Sequence, residues 1–389
     1  MRRRELLQGA GAILLIGGSA GCTAGHKPTA VVPPLPPLRA SIERIIKITV
    51  CTRPFRAQGP RLEVENLGDT VLVHNYGHGG SGWSLSWGSG TIAAAKALAT
   101  GAREFAVIGC GALGLTSAIL LQRTGCKVTI YAKELPPEVR SSNATGSFTP
   151  DSRICLQSEA TPEFKASWAE MCRTSYRAFS NLLGLPGAPV EWVEHYALTD
   201  IPFEQERAQQ EAADTIKFAR LRKEMTPEIA GEHEDLPAGS HPFAAPYVRR
   251  SSNMLFNLVA YQRLLLDDFR HGGGRIEVRE FHEPGELRHL PQKTIVSCPG
   301  FGARTLFNDQ SIIPVRGQLA RLVPQPELHY GLSYRKVSMV PRRDGIVVQA
   351  EGAGAAEGYN DASTEPDRTV AQDAVRTLSG LKFRQSDES

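Results

Sequence analysis

The turn Gly109-Cys110-Gly111-Ala112-Leu113-Gly114 constrains this chain more tightly than any other segment. The apolar residues before it, Phe105 to Gly109, read as a strand, and Ala112 to about Thr124 reads as a helix. A turn at Gly125 and a second strand, Lys127 to Lys133, follow. In GxGxxG the first glycine permits the tight bend, the second lets a pyrophosphate approach the backbone, and the third lets helix and strand pack closely. The helix N-terminus then faces the negative charge. This is half of a doubly wound nucleotide-binding unit, so the fold class is α/β. The acid expected at the end of the second strand is displaced: Lys133 holds that place and Glu134 follows. The ribose contact is therefore shifted by one residue or made by backbone, which weighs against a simple nicotinamide enzyme.

The rest of the chain supplies a second layer of different character. Helices are expected near Pro162 to Leu183, Phe203 to Lys223, Asn257 to Arg270 and Asp367 to Leu378, with strands at Ile45 to Val50, Thr70 to Val73, Val190 to Leu198, Arg275 to Phe281 and Lys293 to Cys298. Gly317 to Val323 and Lys336 to Gln349 alternate and turn at Arg343-Asp344-Gly345, which predicts antiparallel sheet. The 389 residues, 41% apolar and 22% charged, suffice for one large or two modest cores. A net charge of +3 without a dense basic block excludes nucleic acid as the expected partner and leaves a small molecule as the default. The histidines and cysteines lack metal-ligand spacing, so no metal is expected, and Cys110 and Cys298 read as free buried thiols.

Residues 1–25 read as an export signal. Arg3-Arg4-Glu5-Leu6-Leu7-Gln8 resembles the twin-arginine pattern, and the glycine-rich apolar run to Ala20 is too short to span a bilayer. The run ends in Ser19-Ala20-Gly21-Cys22, which leaves two readings open: a lipid anchor at Cys22, or simple cleavage nearby. The expected location is outside the cytoplasm, periplasmic or lipid-anchored at the membrane surface. Residues 26–40, with Val32-Pro33-Pro34-Leu35-Pro36-Pro37, read as an extended linker, and folding is expected to begin near Ser41.

A second glycine-rich segment precedes the nucleotide-binding strand: His74-Asn75-Tyr76-Gly77-His78-Gly79-Gly80-Ser81-Gly82-Trp83, then Trp87-Gly88 and an alanine-rich helix to Leu98. Its bulky neighbours and the strand leading into it predict a fixed turn whose amides converge on an anionic or electron-rich group.

Together with Arg53-Pro54, Ala144-Thr145-Gly146, Arg316-Gly317-Gln318 and Tyr334, these segments resemble the D-amino-acid oxidase family of FAD enzymes, from Ser41 to nearly the end of the chain. The order differs. In the family the nucleotide-binding strand comes first and the Arg-Pro and HNYGHGG segments last, so this chain looks like a circular permutant. Ala99 to Glu104 spans about 20 Å when extended, enough to join the old ends. The resemblance implies an FAD-binding domain at about 68–160 and 250–315, and a substrate domain with a mostly antiparallel sheet at about 41–67, 161–249 and 316–385.

It further implies a role for individual positions. Arg53 would grip the substrate carboxylate with a two-pronged ion pair, Tyr334 would close over it, and the Gly80 carbonyl would accept from the substrate amine. FAD would be held by Gly109, Cys110, Gly111, Ala112, Leu113, Gly114, Lys133, Glu134, Ser141, Ala144, Thr145, Gly146 and Phe281, with Gly79, Gly80, Ser81, Gly82, Trp83 and Ser84 at the flavin pyrimidine. His74 and His78 are expected to hold the loop by hydrogen bonds. Ser338 stands where vertebrate members have a second tyrosine, and the loop between Gln318 and Tyr334 is short, which opens the pocket. The implied reaction is oxidation of D-amino acids with oxygen as acceptor. Oxidation of glycine or a secondary-amine acid, and a non-catalytic exported flavin-binding protein, are the alternatives.

Overall fold

The computed structural model describes residues 35–352 and 354–384. Two sheets organise them. The first has six strands in the order β2-β3-β10-β4-β5-β9: β2 (Val64–Leu67), β3 (Thr70–His74), β4 (Glu104–Ile108), β5 (Lys127–Ala132), β9 (Arg275–Val278) and β10 (Thr294–Ser297). All pairings but the β2–β3 hairpin are parallel. Helices α1 (Gly82–Leu98) and α2 (Ala112–Gln122) pack on this sheet and on each other, and α3 (Pro162–Ser180) lies against α1. Nine of the eleven α2 residues are buried, so its apolar composition all round, rather than a single stripe, follows from its place between layers.

The second sheet has eight strands in the order β1-β11-β14-β13-β12-β6-β8-β7. They are β1 (Ile45–Arg56), β6 (Val190–Thr199), β7 (His233–Leu236), β8 (Tyr247–Phe256), β11 (Ile312–Leu322), β12 (Tyr330–Tyr334), β13 (Val337–Arg342) and β14 (Gly345–Ala350). Only β12 with β6 is parallel. The α/β class and the mostly antiparallel second sheet are therefore as the sequence predicts. A core of Tyr196, Phe243, Tyr330, Leu332 and Val375 closes one face against the helix Arg368–Ser379.

Several expectations change. Arg53-Pro54 does not follow a strand but lies inside β1, which runs on to Arg56 with Pro54 opposite Pro314. Because β1 is the sheet edge, the missing proline N–H costs little there. The Pro54 carbonyl is used instead by Gly79 N at 2.9 Å. β7 and β8 give no apolar alternation. Both faces of this pair are polar, held on one by Arg249 to Asp235 at 2.8 Å and on the other by Arg250 to Glu234 at 2.7 Å. The helix expected over Phe203 to Lys223 stops as α4 (Phe203–Ala213). Sheet membership also moves the expected domain limits: β2 joins the six-stranded sheet, while β8 and β11 start at Tyr247 and Ile312 in the eight-stranded one.

The signal 1–25 and the linker as far as Pro34 lie outside the described residues. The end of the linker is packed, not a free spacer. Tyr330 Oη donates to Pro36 O at 2.7 Å, Gln325 Nε2 donates to Pro37 O at 2.9 Å, and Leu35 and Leu38 pack on the second core. The folded unit thus begins by Leu35 rather than at Ser41.

Candidate active site

The glycines of the Gly109 turn are each required by a contact. Gly109 has φ of +101°, and a Cβ there would stand 2.4 Å from the Cys298 carbonyl oxygen. A Cβ on Gly114 would stand 1.9 Å from the Gly109 carbonyl oxygen, so the first turn of α2 rests directly on the strand end. Ala112 N donates to Ser141 Oγ at 3.3 Å, which brings the Arg140–Asn143 turn over the helix N-terminus, where backbone N–H groups lack helical partners. Cys110 and Cys298 are buried and carry no disulfide. Burial pushes both thiols up to about 12, so neither is a nucleophile.

A cavity of about 950 Å³ runs between the two sheets. Its wall takes in Lys133, Glu134 and Phe281, the Gly109 turn with Ser141, Ala144, Thr145 and Gly146, and Gly79, Gly80, Gly82, Trp83, Ser84, Arg53 and Ser338. Two of the expected cofactor residues do not line it. Gly114 packs on Gly109, and Ser81 is fully buried, its Oγ donating to Ser152 O at 3.0 Å.

The Gly77–Ser84 segment is clamped from three sides. Gly80 N donates to Ser152 O at 2.9 Å, Trp83 Nε1 to Ser141 O at 2.8 Å, and Thr149 N to Ser84 Oγ at 2.8 Å. His74 Nε2 meets Glu65 at 2.9 Å, in keeping with a loop-holding role. His78 differs from its expectation: it lines the cavity, yet neither buried ring nitrogen has a hydrogen-bond partner among the described residues. Burial alone lowers its pKa to about 3, so the ring is neutral near pH 7.

Arg53 projects from β1 over Gly317 of β11, and a Cβ on Gly317 would stand 2.4 Å from its Nη1. The glycine makes room for the guanidinium to lie across the sheet. Nη1 donates to Arg316 O at 3.1 Å. Burial lowers the Arg53 pKa, but a guanidinium stays charged, leaving a desolvated cation facing the cavity.

Tyr334 stands apart from the other expected site residues. It does not line the cavity. It ends β12 opposite Val337, beyond the cavity rim, and its hydroxyl donates to Asp200 Oδ1 at 3.0 Å. Arg335, over the tyrosine ring, pairs with the same carboxylate at 2.8 Å, so the hydroxyl is committed elsewhere. Arg153, His195 and Gln349 line the cavity without having been singled out from the sequence. Gln349 Oε1 accepts from Thr145 Oγ1 at 2.9 Å, and burial lowers His195 to about 4.

A doubly wound domain with a glycine cradle, sharing one cavity with an antiparallel sheet that carries a half-buried arginine, is the architecture of a dinucleotide-binding protein with a small-molecule site. The model of the FAD dependent oxidoreductase family, DAO, matches residues 104–381. A protein named D-amino-acid oxidase from Rubrobacter xylanophilus is 32% identical over 290 residues, covering 72% of this chain and 77% of its own length. One named D-amino acid oxidase from Dugesia ryukyuensis is 27% identical over 291 residues, covering 72% and 76%. The crystal structure of glycine oxidase from Geobacillus kaustophilus matches the fold with a TM-score of 0.50 at 12% identity, over 72% of this chain and 81% of that one. The chain belongs to the DAO family of FAD-dependent oxidoreductases.

FAD is its cofactor, and the cavity fits it. Gly111, where a Cβ would stand 3.2 Å from Ser141 Oγ, leaves the α2 N-terminus bare of side chain on the cavity wall, which suits a pyrophosphate. Gly79, Gly80 and Gly82, beside His78, put main chain without side chains on the same wall, where a polar ring edge could approach it. Amino-acid oxidase-type chemistry is what this family and its relatives support.

Proposed function

We propose that this chain oxidises D-amino acids, with Arg53 holding the substrate carboxylate. Bound FAD supplies the acceptor for the α-carbon hydride and, through reoxidation by dioxygen, hydrogen peroxide, while the imino acid hydrolyses to keto acid and ammonia. The observation that carries the reading is Arg53 itself: a half-buried cation on the wall of the cavity that the nucleotide cradle also lines, over a glycine that makes room for it. In that arrangement the Gly80 carbonyl would accept from the substrate amine, and the Gly79 to Ser84 backbone would help hold the flavin. Hydride transfer needs no side-chain base. His78 and His195, two of the histidines on the cavity wall, are held neutral by burial, which suits a site that positions rather than deprotonates.

Ser338 on the cavity wall and Tyr334 turned toward Asp200 favour a second reading, in which an open site takes glycine or a secondary-amine acid. A screen of D- and L-amino acids, glycine and N-substituted glycines by peroxide release separates the two. Highest turnover with neutral or acidic D-amino acids supports the first, and highest turnover with glycine or secondary amines replaces it. A protein that binds FAD but releases peroxide with none is the non-catalytic alternative.

We also propose that the chain is a circular permutant and is exported. The family match begins at residue 104, yet residues 45–98 supply β1, β3 and α1 to the two sheets. The helix Arg368–Ser379 lies against the 3-10 turn Ile42–Arg44, so the two ends of the folded unit are neighbours. A rearranged gene that starts at Arg103, runs to Arg384, continues from Leu35 and stops at Thr100 is expected to give a yellow protein of unchanged activity. Failure of that chain to bind FAD while the natural order binds it would count against permutation. Export rests on Arg3-Arg4 and lipid attachment on Cys22. Replacing both arginines by lysine is expected to hold the protein in the cytoplasm, and unchanged export would remove the proposal.

A further inference from the structure

At the reactive end of the cavity the arginines differ in what they touch. Arg222 has its backbone N–H and its Nη2 both on Asp151, at 3.2 Å. Arg316 donates to Gln318 and to the Glu365 carbonyl, with Asp361 at 3.9 Å. Arg53 donates to a main-chain carbonyl. Arg153 lies over the ring of Phe218 at 5.9 Å, and its Nε is buried with no hydrogen-bond partner among the described residues. Phe218 packs edge-on against Phe55, two residues beyond Arg53 on β1, so one aromatic cluster ties the Arg153 wall to the Arg53 wall.

The backbone holds Arg153 in place at some cost. Its φ of +50° is in the left-handed region that a branched-free polar residue tolerates but does not favour. Its carbonyl lies where a Cβ on Gly79 would fall, 1.9 Å away. Ser152, just before it, accepts from Gly80 N and Ser81 Oγ. The turn that carries Gly80 therefore also fixes the start of the Arg153 side chain. Strain of this kind is retained where the placement of a residue matters.

Burial, then the neighbouring charge of Arg53, lower Arg153 to about 10, while Glu351, Glu357 and Asp214 oppose that shift. A guanidinium stays protonated throughout. With three carboxylates near the two arginines, what Arg153 offers a ligand is hydrogen-bond donors on the cavity wall rather than uncompensated charge.

We propose that Arg153 selects the substrate side chain, and that the favoured substrates are amino acids carrying a second carboxylate, one carboxylate at Arg53 and the other at Arg153. This inference rests on the amino-acid oxidase reading. The small Ser338 side chain on the same cavity leaves room for the longer acid.

The test compares each acidic D-amino acid with its own amide, D-glutamate with D-glutamine and D-aspartate with D-asparagine, so that size is nearly constant and charge is not. For the natural protein, kcat/KM for the better acid is expected to exceed that of its amide by about 10- to 100-fold, the range of a charge-assisted hydrogen-bonded contact. Arg153→Met is expected to bring the ratio to within about threefold while the protein keeps its flavin, and Arg153→Lys to restore part of it. Amides oxidised as well as acids by the natural protein, an unchanged ratio in Arg153→Met, or a preference for D-arginine and D-lysine would each overturn the proposal. The natural-protein ratio needs no variant to fold. If no amino acid at all reduces the flavin, the oxidase reading falls first, and that result is distinct from oxidation without acid preference.

Discussion

At the Gly109 end of the cavity the contacts are backbone against backbone, whereas at the Arg53 end they are charged side chains with spare hydrogen-bonding capacity. Gly109 and Gly114 each occupy a spot where a single added carbon meets a carbonyl oxygen. Arg53 and Arg153 instead hold desolvated charge toward open space. A cofactor that stays bound suits a rigid cradle, and a substrate that comes and goes suits charges that its own carboxylate completes. The contrast teaches where this chain tolerates change: alteration at the first end should cost the protein its cofactor, and at the second only its turnover.

The largest effect is therefore expected from Gly114→Val, which drives two methyl groups toward the Gly109 carbonyl. Purified protein should be colourless or unfolded, read from its flavin absorbance and thermal melt. A yellow, stable variant would break the comparison at its firmer end. Next comes Arg53→Met, expected to lower kcat/KM by roughly 100- to 1,000-fold, since removing one partner of a desolvated charge pair costs several kcal/mol. Flavin content should not change. A fall of less than about fivefold would detach Arg53 from the substrate.

His78 stands where the two kinds of contact meet, and its prediction concerns pH. Its folded pKa of about 3 lies below the ordinary 6.5. Between those values the unfolded chain takes up a proton that the folded one refuses. Its contribution is thus complete above 6.5 and is lost as pH falls toward about 3, at about 1.4 kcal/mol per unit. Denaturant titrations of His78→Gln should show a shallower loss over that window, and an identical slope would mean that His78 is charged or solvated in the fold. Gly317→Ala should be milder still. Its Cβ displaces the Arg53 guanidinium, the end of a flexible side chain, so kcat/KM should drop about tenfold with flavin retained. Tyr334→Phe should change kcat/KM by less than about threefold, because the hydroxyl is spent on Asp200. A drop beyond tenfold would show that the tyrosine swings inward during turnover.

The same contrast governs what could be read from the sequence. The Gly109 turn was legible because its glycines answer to local backbone geometry, within six residues and between two obvious elements. The whole α2 helix and its flanking strands were legible for that reason. Arg53 carried no local signal of its own, and the resemblance to a family supplied its role. Arg153 was missed because tertiary packing brings it to the cavity, through a left-handed turn held by the Gly79–Ser81 segment. Tyr334 was misjudged because hairpin register decides its direction. Arg335 and Lys336, at φ of +48° and +59°, turn the chain just past it and set it opposite Val337, outside the cavity. β8 escaped notice because ion pairs on both of its faces remove the apolar alternation that marks a strand.

The central claim is that the Gly109 cradle and the Arg53 pocket form one flavin site acting on D-amino acids. Anaerobic mixing of the purified yellow protein with matched enantiomers tests it most directly. The D-enantiomer is expected to bleach the flavin absorbance completely, and the L-enantiomer to leave it unchanged. Bleaching by the L-enantiomer, or by neither, would contradict the account.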